Sequence, residues 1–185
     1  MKKLALIFLI TFFTTITNAQ ITNGNWMVGG DCNYSNSSFE STTKSNGSVS
    51  TGGGYRISIN PNIGYFITDK FAVGLSTMTS LNKTDGNGNA VFSYGGGLFA
   101  RYYLLKSDKR VNILTDVRYQ YFLNNTDDNN VNSFLFKGGP VIFFNSSVAL
   151  ELTLNYELNK FNNVFSKTTF TNYDFRIGFQ IHLEK

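Results

Sequence analysis

Nine charged side chains fall on the polar side of stretches that otherwise alternate with apolar residues: Arg56, Arg101, Asp116, Arg118, Lys137, Glu151, Glu157, Asp174 and Arg176. Residues of both signs gathered in one enclosed space can do one of two things. They can line a path for ions or small hydrophilic solutes, or they can pair and fill the space, since buried charges persist when they are paired. Pairing is the favoured reading, with Glu151 and Arg101, Arg118 or Arg176 as candidate partners. No catalytic residue set accompanies them. His182 is the single histidine and Cys32 the single cysteine, so no intramolecular disulfide and no His/Cys metal cluster can form. Asp85 and Asp127-Asp128 lie in polar segments and give only a weak cation signal. Gly95-Gly96-Gly97 precedes no helix, so it is not a phosphate loop. No cofactor is expected.

The elements that position these charges are strands, because the apolar residues recur with period two. Val148, Leu150, Leu152, Leu154, Tyr156 and Leu158 share one face, opposite Glu151, Thr153, Asn155 and Glu157. Tyr173, Phe175, Ile177, Phe179, Ile181 and Leu183 repeat the pattern opposite Asp174, Arg176, Gln180 and His182. Further faces run Trp26–Tyr34, Tyr55–Tyr65, Phe71–Thr79, Phe92–Leu104, Val111–Tyr121 and Phe134–Phe144. Lys137 lies opposite the last of these, and Pro140, which cannot donate to a ladder, predicts a bulge or local break there. The result is eight strands. Long Ser/Thr/Asn/Gly-rich connections (35–53, 80–90, 124–132, 159–169) alternate with short ones at Thr68-Asp69-Lys70, Lys106 to Arg110 and Asn145-Ser146-Ser147.

The chain begins with Met1-Lys2-Lys3, an apolar run from Leu4 to Phe13 and a small polar stretch ending Thr17-Asn18-Ala19. That is the pattern of a secretory signal peptide, and the run is too short for a bilayer-spanning helix, which needs about 20 residues. Residues 1–19 are therefore expected to be removed after Ala19, leaving residues 20–185 as one domain. The formal net charge of +4 falls to +2 when Lys2 and Lys3 depart. The remaining basic residues are scattered, so a nucleic-acid partner is not expected. Eighteen Phe and ten Tyr with only two Pro suit strands rather than helices.

Alternating long and short connections with an even strand count predict an all-β fold: an eight-stranded, antiparallel, up-and-down transmembrane β-barrel. Eight strands enclose room for side chains only. A soluble barrel would carry its charges outside. Here the charged face is sparse and mixed in sign, and the broad apolar face has essentially no charge between strand ends, where a Lys or Arg at the membrane midplane would cost about 2–4 kcal/mol. Trp26, Tyr65, Phe66, Phe71, Tyr102, Tyr103, Phe143 and Phe144 gather near the short turns and are expected to form a periplasmic aromatic girdle. Both termini are then periplasmic.

The segment Asn60-Pro61-Asn62-Ile63-Gly64-Tyr65-Phe66-Ile67-Thr68-Asp69-Lys70-Phe71-Ala72-Val73-Gly74-Leu75, with Phe99-Ala100-Arg101-Tyr102-Tyr103 and the hairpin from Phe143 to Glu151, resembles the porin-like "outer membrane protein beta-barrel domain" proteins common in Bacteroidetes. Their shape is that of the OmpA and OmpX membrane domains, and the resemblance covers the chain after residue 19 nearly end to end. It implies an integral protein of the Gram-negative cell outer membrane, with outer-membrane lipid, lipopolysaccharide and the barrel-insertion machinery as partners. It brings no catalytic residues. Such barrels often end on an aromatic, whereas this sequence runs Ile181-His182-Leu183-Glu184-Lys185, with Phe179 as the stand-in. Small barrels that act on lipid A use histidine, serine and a carboxylate near the outer leaflet, but His182 falls at the periplasmic end. The expected function is structural or surface-interacting and non-enzymatic, with a side-chain-plugged lumen. The alternative is a narrow porin-like channel for ions or small hydrophilic solutes. No ligand for the outer loops can be named from sequence.

Overall fold

The computed structural model describes residues 21–42, 49–84, 90–124, 130–162 and 167–184. The expected signal peptide, Asp85 and Asp127-Asp128 lie outside these residues. Eight strands follow one another: β1 Trp26–Thr42, β2 Val49–Thr68, β3 Phe71–Thr84, β4 Val91–Tyr103, β5 Val111–Asn124, β6 Asn130–Phe143, β7 Val148–Asn162 and β8 Lys167–Leu183. Each pairs antiparallel with the next, and β8 pairs with β1, closing the barrel. There is no helix among the described residues.

Register fixes the barrel's shape. Starting at Trp26 and crossing Tyr65, Val73, Ala100, Val117, Phe136, Tyr156 and Tyr173, the pairing returns to β1 at the level of Asn36, ten residues above its start. With about 3.3 Å per residue along a strand and about 4.8 Å between strands, that stagger tilts the strands by about 40°, within the range that closes a barrel.

The two ends differ. At one, here called the turn end, the connections are Asp69-Lys70, 104–110 and 144–147. Lys70 adopts a left-handed backbone at φ 67° in the tightest of them. Asn112 holds the widest, its Oδ1 accepting from the N–H groups of Leu105 at 2.9 Å and Ile113 at 2.8 Å. At the far end the strands run well into the segments expected as long loops: β1 continues to Thr42 and β2 begins at Val49. The Ser, Thr, Asn and Gly residues there stay in the ladder because ladder bonds use backbone groups, whatever the side chain. The alternation of long and short connections is thus an alternation of long and short hairpins.

The break expected at Pro140 is mild. On the β7 side pairing passes from Gly138↔Leu154 to Val141↔Glu151 with no shift of register, so two rungs are missing and no residue is bulged. Pro61 does the same toward β3, between Ile59↔Thr79 and Asn62↔Ser76. Both prolines lack the N–H that the rung needs. The one register shift among these strands lies between Phe66 and Thr68. The β1–β8 ladder is the shortest, from Trp26↔Leu183 to Cys32↔Ile177. Just above it, the Asn33 side-chain amide donates to the Phe175 carbonyl at 2.8 Å.

Candidate functional site

Side-chain direction follows the period-two pattern, and it is inverted relative to a water-soluble barrel. Leu154 is 71% and Leu98 63% exposed on the outside, while Arg101, Arg118 and Glu151 are fully buried inside. The inside is crowded because β2 and β3 contribute small residues (Gly64, Ser76 and Gly74 among them) and β4 to β7 send long side chains across. Glycine is required at Gly74: a Cβ there would collide with the Ile63 carbonyl oxygen and press on the Phe99 ring.

Six of the interior charges close on themselves. Glu151 Oε1 meets Arg101 Nη1 at 2.6 Å, Arg101 meets Asp116 at 2.9 Å, and Asp116 Oδ1 meets Arg118 Nε at 2.9 Å. Arg118 Nη2 then reaches Asp31 at 3.2 Å, Asp31 holds Lys137 Nζ at 2.9 Å, and Lys137 returns to Glu151 at 3.3 Å. Acid and base alternate around the ring, so it is electrically neutral. Its members come from β1, β4, β5, β6 and β7, so it ties opposite walls together. Arg101 and Arg118 also sit over the Phe99 ring, at 5.6 and 5.7 Å from its centroid, where a cation is attracted by the ring face. A branch leaves the ring at Asp31 toward the far end: Arg176 bonds Asp31 at 3.4 Å, Asp174 at 3.0 Å and Glu157 at 3.7 Å.

Eight of the nine charges singled out in the sequence thus lie in one connected network. Arg56 is half-buried on β2 and takes part in none of these ion pairs. The candidate partners of Glu151 are corrected in part: it pairs with Arg101 and Lys137, whereas Arg118 and Arg176 bond the acids nearer to them. Asp31 was missed, yet it is the hub, binding three cations and accepting from Asn60 Nδ2 at 2.7 Å. The signal was available. The alternation that puts Trp26, Val28 and Cys32 outside puts Asp31 inside.

Toward the turn end lies a second layer, apolar and aromatic. Phe66, Tyr103, Phe143 and His182 are buried with ring centroids 5.5 to 6.3 Å apart. Tyr103 Oη lies 3.3 Å from His182 Nε2, and the backbone N–H of His182 donates to the Ser147 carbonyl at 2.6 Å. Phe66, Tyr103 and Phe143 were expected on the outer girdle; they point inward. Tyr65-Phe66, Tyr102-Tyr103 and Phe143-Phe144 are adjacent pairs, and neighbours on a strand face opposite sides. Trp26, Tyr65, Phe71, Tyr102 and Phe144 are the members that face outward, with Trp26 and Tyr65 in an edge-on contact at 5.1 Å. No three His, Cys, Asp or Glu side chains among the described residues could hold a metal ion. Cys32 is exposed on the outer face.

A second outward aromatic level occurs further along. Tyr119 packs on Phe134 at 5.0 Å, Phe136 on Tyr156 at 6.4 Å and Tyr156 on Tyr173 at 5.1 Å, with Tyr34 and Tyr94 at similar height. Tyr34 stands eight residues above Trp26, about 20 Å along the barrel axis at this tilt. Between the two levels the outward positions (Val28, Ile59, Ile63, Leu75, Leu98, Val117, Leu152, Ile177 and their neighbours) include no charged residue. An uncharged band of this height, flanked by aromatics on a closed sheet, is how strands cross a lipid bilayer, where every backbone polar group needs a protein partner.

Fold and exterior together define an eight-stranded transmembrane β-barrel of the outer-membrane type. Among solved structures the chain is similar to the outer membrane protein OprG from Pseudomonas aeruginosa, at 14% identity over 90% of this chain and 100% of that one, with a TM-score of 0.52. Lesser similarity is found to OmpT of Vibrio cholerae (14% identity, 88% of this chain and 52% of that chain, TM-score 0.38) and to AlkL (10% identity, 88% and 89%, TM-score 0.38). No family model matches the chain, and no curated protein matches it in sequence.

Proposed function

We propose that this is a closed, non-enzymatic barrel of the outer membrane, made to reinforce the envelope or to present its far-end hairpins outside the cell. The observation that carries this reading is the six-charge ring. It joins walls on opposite sides of the lumen and leaves none of its carboxylates without a cation. Breaking such a set exposes an uncompensated buried charge, at about 3–5 kcal/mol, which favours a fixed plug over a mobile one. In this reading the turn end faces the periplasm, residues 1–19 are removed on export, outer-membrane lipid and lipopolysaccharide surround the band, and the barrel-insertion machinery places it. His182 lies in an aromatic layer beside Tyr103, which supports a structural role.

Single-channel recording in a planar bilayer tests the plug. Wild-type protein should give no steady openings; steady openings that change in Asp116→Ala or Glu151→Gln would replace the plug with a channel for ions or small hydrophilic solutes. That second reading has one observation in its favour. The side-chain amides of Asn62 and Gln180, both buried, find no hydrogen-bond partner among the described residues, as polar groups along a hydrated path would. Membrane residence has its own test. Leu75→Arg, in the middle of the apolar band, should cost about 2–4 kcal/mol of folding stability in vesicles, and a negligible cost would remove the band from lipid.

A further inference from the structure

The turn-end mouth contains a residue that belongs to no strand. Ile21 is fully buried and shares one apolar cluster with Met27, Phe66, Ala72, Tyr103 and Phe143, drawn from five different strands. Leu114, Val141 and Ala149 extend the same cluster to β5, β6 and β7. The short segment 21–25 is fastened there by hydrogen bonds to the end of β2 and to the β2–β3 turn. The Ile21 carbonyl accepts from Lys70 N–H at 2.8 Å, and Asn23 N–H donates to Asp69 Oδ1 at 2.9 Å. Gly24 N–H donates to the Phe66 carbonyl, and Phe66 N–H donates to the Asn25 carbonyl, both at 2.9 Å. Gly24 takes φ 91°, a conformation that glycine adopts freely, and Asn25 closes the bend by donating to Thr22 Oγ1 at 2.9 Å.

We propose that residues 21–25 are a cork: seated, they seal the turn-end mouth, so the interior is reached from the far end only. A strap that merely followed the rim would leave its side chains in solvent. This one places its single large apolar side chain in the cluster that every strand but β8 contributes to, and β8 adds His182 against Phe66, Tyr103 and Phe143. Two of the four inter-segment bonds run to Asp69 and Lys70 in the β2–β3 turn and two to Phe66 on β2, continuing the β1–β2 ladder past Trp26↔Tyr65. The cork deepens the closed-barrel reading by adding a second closure, independent of the charge ring.

The test uses a reporter cysteine inside the mouth. In a Cys32→Ser background, Val141→Cys is close in size to the native residue and lies within the cluster. Reaction of folded, detergent-solubilised protein with a small water-soluble thiol reagent should be slow with the cork intact and at least ten-fold faster with Ile21→Asp, because a carboxylate is excluded from an apolar cluster. Equal rates in the two proteins would overturn the proposal. If Ile21→Asp loses the heat-dependent gel shift of a folded barrel, Ile21→Ala replaces it, with a several-fold increase expected and no increase counting against the cork. Conductance of the same variants separates the two closures. Faster labelling without openings keeps both cork and ring. Faster labelling with openings keeps the cork and removes the ring as a plug.

Discussion

The charge ring and the aromatic mouth sit a few residues apart on the same strands, yet they hold the barrel by different physics. The ring is directional: six groups, each placed within about 3.3 Å of its partners, must be present together. The mouth is non-directional, a set of rings and aliphatic groups whose contribution follows buried area. One side chain lost from the mouth leaves a cavity that neighbours can partly fill. One acid lost from the ring leaves three bases to share two acids. The contrast implies that the ring specifies the register of the strands and the mouth stabilises them.

The largest expected effect is at the hub. Asp31→Ala removes one acid partner from each of Arg118, Lys137 and Arg176, leaving three bases to two acids in the ring, and should lower stability by about 3–5 kcal/mol or prevent folding. The check is the urea midpoint of the heat-dependent gel shift in vesicles. A loss under 1 kcal/mol would mean that the ring is not a unit. In the mouth, Phe143→Ala should cost about 3 kcal/mol, without the reshuffled pairing that the hub variant forces. Its urea midpoint should fall while a far-end reporter such as Ser133→Cys keeps its reactivity. The smallest effect belongs to the branch. Glu157→Gln leaves Arg176 with Asp31 and Asp174, and should shift stability by about 1 kcal/mol or less. If it matched the hub variant, the boundary between ring and branch would be wrong.

The strand faces could be read from sequence because a slip of one residue would have sent charges into the apolar band. Even the sixth strand, interrupted by Pro140, kept the face that Phe134, Phe136 and Ile142 imply. The difficulties came where a side chain's type misleads about its direction. Clustered aromatics at the turns suggested a girdle, but adjacency forces Phe66, Tyr103 and Phe143 to the opposite side from Tyr65, Tyr102 and Phe144. Asp31 was overlooked because its neighbours Gly29, Gly30 and Asn33 carry little amphipathic signal. Of the candidate partners of Glu151 only Arg101 held, because the pairing depends on a ten-residue stagger that no local pattern encodes. The far-end strand lengths were hidden for a similar reason: polar residues look like loops until a neighbouring strand offers them a ladder.

The short β1–β8 ladder has a consequence for how the molecule is made. Its rungs join Trp26 to Leu183 and Cys32 to Ile177, residues nearly a full chain apart, while every other seam joins neighbours in sequence. The seven hairpin seams can zip as the chain arrives, each closing a short loop. This one waits for the last strand and carries the whole loop-closure entropy. It also has the fewest rungs to repay that cost. The seam is therefore expected to be the slow step of assembly and the place where the sheet first parts under tension or heat.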